Sequence, residues 1–170
     1  MATRSGLERW YPEAGNRFGM VTVFDLLMDY LKEGRIRVDK SRLKVRATYH
    51  DPCNYGRKSE MLFGYGYYEE PRWIMDQCLE DWVDLNPNRR NQICCGGGGG
   101  ALITGFDEER KQCGRQKMEQ IRASKAEMVV VPCHSCHGQI NNLKEEYGLK
   151  HLQVKYLWEI VADTLVMEGS

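Results

Sequence analysis

Residues 128–137, MVVVPCHSCH, decide how this chain is read. A short, wholly apolar run rich in valine and closed by proline is the pattern of a parallel strand covered on both faces. Its end delivers Cys133, and Cys136 follows one helical turn later, at the start of a helix predicted over 134–147 with Gly148 as its stop. In open parallel sheets, sites lie outside the carboxyl ends of the strands, so both thiols stand where a site belongs.

Working outward, LKVRATYH (43–50) alternates apolar and polar residues before Asp51-Pro52 and predicts a strand that delivers Cys53. Gln92 to Cys95 reads as a further short strand delivering Cys94 and Cys95 to Gly96 and the glycines after it. Helices are expected over 21–33, from Pro71 to Leu85, over 107–123 and over 154–167. The second of these rests on Ile74, Cys78, Trp82 and Leu85 sharing one helical face. The segment 54–68 reads as a loop or broken turn. Residues 1–20 mix charge, glycine and aromatics without period and are expected to be an irregular lead-in to a single domain over 21–170. Alternating strands and helices predict an α/β fold with a small, mostly parallel sheet flanked by helices.

Composition limits what such a domain can do. The chain has 170 residues, 42% hydrophobic and 28% charged, with 24 basic and 24 acidic residues and zero formal charge. No overall field draws it to nucleic acid or anionic lipid. No apolar run approaches the ~20 residues of a membrane span, and the N-terminus lacks a signal-peptide core, so a cytoplasmic location is expected. Seven cysteines in a reducing compartment point to metal or redox chemistry rather than disulfides.

Five of them form the pattern C-x40-CC-x37-C-x2-C, from Cys53 through Cys94 and Cys95 to Cys133 and Cys136, at three predicted strand ends. Thiolate-only sites select zinc or iron–sulfur clusters. Structural zinc is usually held by two C-x-x-C knuckles, and this chain has one knuckle, an adjacent pair and a fifth thiol. The string Cys133-His134-Ser135-Cys136-His137 also matches the C-x-x-C-H haem pattern, which would leave Cys53, Cys94 and Cys95 unexplained. Gly96, Gly97 and Gly98 can aim backbone N–H groups at an anionic group and leave one face of it open. Arg57, Lys58 or Arg72 would offset its negative charge. Cys78 reads as core, and Cys113 as structural. His50 and His134 flank the thiols, and the tyrosines 65, 67 and 68 with Trp73 read as the rim of the core.

The blocks YHDPC, CCGGGGG and VVPCHSC resemble the cysteine-rich CCG domain of the B-type and D-type subunits of heterodisulfide reductase, and of glycolate oxidase and lactate utilisation iron–sulfur subunits. Over about residues 21–167 the wording is most similar to the DsrK, Hmc and Tmc-type iron–sulfur subunits of membrane complexes in sulfate reducers. The resemblance implies that Cys53, Cys94, Cys95, Cys133 and Cys136 ligate a non-cubane 4Fe–4S cluster that reduces a disulfide-type substrate or sulfur-carrier protein in single-electron steps. Cys95 and His50 become the candidate catalytic residues, His50 to protonate a leaving thiolate. Ferredoxin-like or membrane electron-transfer subunits are the implied partners. This chain has one CCG motif where the B-type reductase subunit has two, and it lacks the ferredoxin-type cysteine runs, which suggests a fragment or a chain that relies on partners. Zinc bound by a subset of the same thiols in a non-enzymatic domain is the alternative.

Overall fold

The computed structural model describes residues 2–17 and 19–167; Met1, Phe18 and 168–170, at the edges of the expected segments, lie outside it. Where an irregular lead-in is expected, the chain forms two short helices, α1 (Ala2–Trp10) and α2 (Pro12–Arg17). Then come α3 (Val23–Lys32), β1 (Ala47–Tyr49), α4 (Ser59–Phe63), α5 (Glu69–Cys78), β2 (Trp82–Asp84), α6 (Asp107–Ser124), β3 (Met128–Val131), α7 (His134–Glu146), β4 (Gln153–Tyr156) and α8 (Leu157–Thr164). Thr22 starts α3 by a capping box: its hydroxyl accepts the Asp25 N–H at 3.2 Å and the Asp25 carboxylate accepts the Thr22 N–H at 3.0 Å.

The four strands form one parallel sheet in the order β2-β1-β3-β4. Side chains alternate across it. Ala47, Tyr49, Met128 and Val130 join Phe24, Ile74, Met75, Leu157 and Ile160 on the α3, α5 and α8 side. Val129 and Val131 pack with Met118, Ile121, Ile140 and Leu143 on the α6 and α7 side. The chain leaves β1 towards β2 and then returns across it to β3. The carboxyl ends of β1 and β3 therefore flank the point where strand order reverses, and the crevice there is open.

Three expectations are corrected. The second helix stops at Cys78, because Trp82–Asp84 pairs with Ala47–Tyr49 as an edge strand. Residues 92–95 are not a strand; they follow a single 3-10 turn at Arg89–Asn91. The last helix begins only at Leu157, because Val154-Lys155-Tyr156 extends beside Val129-Val130-Val131. Within 54–68, expected as a loop or broken turn, the chain makes helical turns at Asn54–Lys58 and α4.

Candidate metal centre

His50 and Asp51 follow strand β1, and Asp51 fixes the turn that carries Cys53. Its carboxylate receives Arg72 through two bonds of 2.8 and 2.9 Å and the Arg89 N–H at 2.8 Å. Arg72, buried, also grips Asp84 at the end of β2 at 2.8 and 2.7 Å. A fully paired guanidinium of this kind ties two strand ends together and has no free charge for a ligand. Arg72 therefore does not play the expected charge-offsetting role. Arg57 does reach the site: its guanidinium lies 3.5 Å from Cys53 Sγ, and the Gln92 amide donates to the same sulfur at 3.1 Å.

Cys94 and Cys95 arrive in a tight turn. Gly96, at φ 83°, takes a backbone form that a side chain would strain, and its N–H points at Cys94 Sγ at 3.3 Å. Cys94 is exposed and Cys95 is buried. The turn is clamped from below: a Cβ on Gly114 of α6 would lie 2.9 Å from the Cys95 carbonyl oxygen, and one on Gly97 would lie 2.5 Å from Gln139 Cβ of α7. Gln139 in turn bonds Arg110, donating to its carbonyl at 3.2 Å and accepting from its guanidinium. Helices α6 and α7 are thus locked beneath the cysteine turn.

Cys133 precedes α7 and Cys136 sits in its first turn. Cys95 Sγ and Cys136 Sγ are 3.4 Å apart. All five thiols line one cavity of about 210 Å³ with Asn54, Lys58, Gly98, Gly99 and Ser135. Among the described residues no carboxylate lines it, so the donor set is soft and suits a thiophilic metal or cluster.

The thiols compete for protons. Hydrogen bonding from Cys136, then from Cys94, holds Cys95 down to about 4. Cys136 also lowers Cys133 to about 6, helped by backbone N–H groups at the start of α7. Cys136 keeps its proton, shared between Cys133 and Cys95, and contact with Cys94 pushes Cys53 up to about 12. Behind them lies His50, wholly buried, both ring nitrogens without a hydrogen bond and a ring nitrogen within 4.8 Å of the Cys95 and Cys136 sulfurs. Burial and the nearby Lys117 hold it down to about 3. At neutral pH its imidazole is uncharged.

Other residues take different places. Gly98 lines the cavity, while Gly96 and Gly97 support the turn beside it. His134 Nδ1 meets the Tyr156 hydroxyl at 2.5 Å; His137 stacks on the Tyr156 ring at 4.2 Å and bonds the Val154 carbonyl oxygen at 3.2 Å. Cys78 is core and Cys113 is exposed. Of the aromatic rim, Tyr67 is buried against Phe24 and Tyr65 is half exposed. Gln92, Gly114, Lys117 and Gln139 carried no signal in the sequence except a glycine within a helix. Among the described residues no helix is long and apolar enough to cross a membrane.

A family model described as a cysteine-rich domain, CCG, matches residues 47–141. Among curated proteins the chain is 29% identical over 159 residues to a fumarate reductase (CoM/CoB) subunit of Methanothermobacter marburgensis, covering 91% of this chain and 29% of that one. It is 34% identical over 73 residues to the Hdr-like menaquinol oxidoreductase iron-sulfur subunit 2 of Archaeoglobus fulgidus, covering 42% and 12%. To a subunit of the dihydromethanophenazine:CoB--CoM heterodisulfide reductase of Methanosarcina mazei it is 26% identical over 152 residues, covering 89% and 35%. The chain thus spans at most about a third of these relatives' lengths, and its kin are iron–sulfur and reductase subunits.

Proposed function

The chain belongs to the cysteine-rich CCG domain family, and on that premise we propose that it is the cluster-holding redox component of a heterodisulfide reductase-like oxidoreductase. The observation that supports this most is the convergence of five thiols on one cavity at the reversal point of the sheet. Cys53, Cys94, Cys95, Cys133 and Cys136 would hold a 4Fe–4S cluster of the non-cubane kind. When bound, such a cluster supplies electrons singly to a disulfide-type substrate or sulfur-carrier protein.

The chain's own residues prepare that chemistry. Cys95 and Cys136 set a buried thiol floor, Cys133 is half-buried, and Cys94 stands at the exposed side. A Cβ on Gly98 would meet nothing within 4 Å, so the glycine wall leaves room for a sulfur-bearing group. Lys58 places positive charge on the lining and Arg57 beside Cys53, both suited to a thiolate product. Uncharged His50 lies behind the inner sulfurs, a ring nitrogen within 4.8 Å of those of Cys95 and Cys136. Cleaving one disulfide consumes two electrons and two protons and releases two thiols, so a ferredoxin-like or membrane electron-transfer partner must deliver electrons in succession. A cytoplasmic location, peripheral to a membrane complex, accords with such a partner.

Serine changes at each of the five thiols test the assignment. Each should lower iron and acid-labile sulfide and alter the EPR spectrum after anaerobic reconstitution, while Cys78→Ser and Cys113→Ser should not. Unchanged iron and spectrum in Cys95→Ser would sink it. A second reading has one observation in its favour: ligand atoms of His50, Cys95 and Cys136 all lie within 4.8 Å of one another, a spacing one zinc ion could use.

A further inference from the structure

Cys53 is held differently from the other four thiols of the cavity. Its sulfur accepts two side-chain N–H groups, from the Gln92 amide at 3.1 Å and from the Arg57 guanidinium at 3.5 Å. Among the described residues no side-chain nitrogen donates to the remaining four. Cys95 and Cys136 meet each other at 3.4 Å, and Cys94 faces the backbone N–H of Gly96.

The fold fixes both donors. Arg57 stands about one helical turn after Cys53, so its stem reaches back to the sulfur, and its other terminal nitrogen donates to the Gln92 backbone carbonyl at 3.2 Å. Gln92 follows the Arg89–Asn91 turn, whose first N–H is held by Asp51, two residues before Cys53. The Gln92 side chain is buried. Its amide nitrogen donates to sulfur, and its amide oxygen, equally buried, has no hydrogen-bond partner. Leaving a buried carbonyl oxygen unpaired costs about 1–3 kcal/mol. A methionine of similar length would fill the same space without that penalty, so what the amide adds at this position is its N–H bond to Cys53.

We propose that Gln92 is a positioning residue of the thiol site, whose amide N–H aims Cys53 Sγ into the cavity and stabilises it as a metal-bound thiolate. Metal ligation makes the sulfur a thiolate. A hydrogen bond to an ionised acceptor is about twice as strong as one between neutral groups, so the Gln92 bond favours the loaded site. It likewise favours each electron added to a cluster, because a hydrogen bond to a ligand sulfur offsets the added negative charge, and so raises the reduction potential; this second consequence rests on the iron–sulfur reading above.

A space-filling glutamine and a positioning glutamine are distinguished by comparing stability with loading. In the metal-free chain, cadmium is titrated against a competing chelator, following the sulfur-to-cadmium charge-transfer band, for the natural chain and Gln92→Met. Gln92→Met should bind cadmium about tenfold more weakly, with a melting temperature no lower than that of the natural chain. Equal affinity, or a loss of affinity that comes with a lower melting temperature, overturns the proposal. If Gln92→Met fails to fold, NMR of the natural chain decides: cadmium should move a Gln92 side-chain amide proton downfield, and an unmoved resonance overturns the proposal. On the reconstituted chain, a one-electron midpoint lower in Gln92→Met by a tenfold effect, about 59 mV, is expected; an unchanged midpoint overturns that consequence. If the natural chain holds no iron or sulfide, the iron–sulfur reading fails while the cadmium comparison still decides the role of Gln92.

Discussion

Cys95 Sγ lies 3.4 Å from Cys136 Sγ, although the two residues are 41 positions apart and neither stands on a strand. The contact is made by clamping two helices under one turn. Cys136 rides on the first turn of α7, and Cys95 is pressed down by Gly114 of α6 from one side and by the Gln139 of α7 beneath Gly97 from the other.

That clamp predicts a graded response among the glycines. In Gly114→Ala the new methyl group would collide with Leu143 Cδ1 and sit 2.9 Å from the Cys95 carbonyl. It should cost about 1–3 kcal/mol by urea unfolding. Gly97→Ala should be comparably costly, for it meets Gln139 Cβ at 2.5 Å and the Ser135 carbonyl at 2.9 Å. Gly98→Ala should leave unfolding within about 0.5 kcal/mol of the natural chain, since nothing lies within 4 Å of the added atom. The glycine run thus divides into packed and open positions, which its sequence alone does not separate.

Arg72→Met removes one member of a buried ion pair and strands Asp51 two residues before Cys53. Breaking such a pair from one side costs about 3–5 kcal/mol. Equilibrium unfolding should show that loss, and cadmium binding to the metal-free chain should fall with it. A variant of natural stability would mean that the bidentate contacts at 2.8 and 2.9 Å do not anchor the turn.

His50 gives the metal-free chain an acid sensitivity with a defined sign. Its folded value is held down to about 3 from 6.5. Between those values the unfolded chain binds a proton that the folded chain refuses, so stability falls as pH drops through that window, by about 1.4 kcal/mol per unit. Above pH 6.5 the effect vanishes. His50→Leu should flatten the pH dependence of unfolding between pH 6.5 and 3; an unchanged slope would show that the ring is not excluded from protonation.

Much of this molecule was legible in its residues, and the reasons for the rest are physical. The MVVV run, its proline stop and the helix after it lie where their pattern puts them, because a strand buried on both faces must be continuously apolar. β2 and β4 escaped because three or four residues hold too little alternation to outweigh a helical stripe. Trp82 and Leu85 continued the face of Ile74 and Cys78, and Val154 and Leu157 opened that of α8. Cys53 and Cys133 were readable as strand-end residues. The turn that brings in Cys94 and Cys95 resembles a strand in sequence, since its clamp is made by Gly114 and Gln139, which lie far from it in the chain. Lys117 was invisible for a related reason: on a helix rich in charge, nothing local marks which lysine is turned inward.

The central claim, that five thiols hold an iron–sulfur cluster, is tested most directly by metal and acid-labile sulfide analysis of the chain after anaerobic purification and reconstitution. The account predicts about four irons and about four sulfides per chain, with both values falling in Cys95→Ser. One zinc per chain with no sulfide, retained under the same anaerobic conditions, would contradict it.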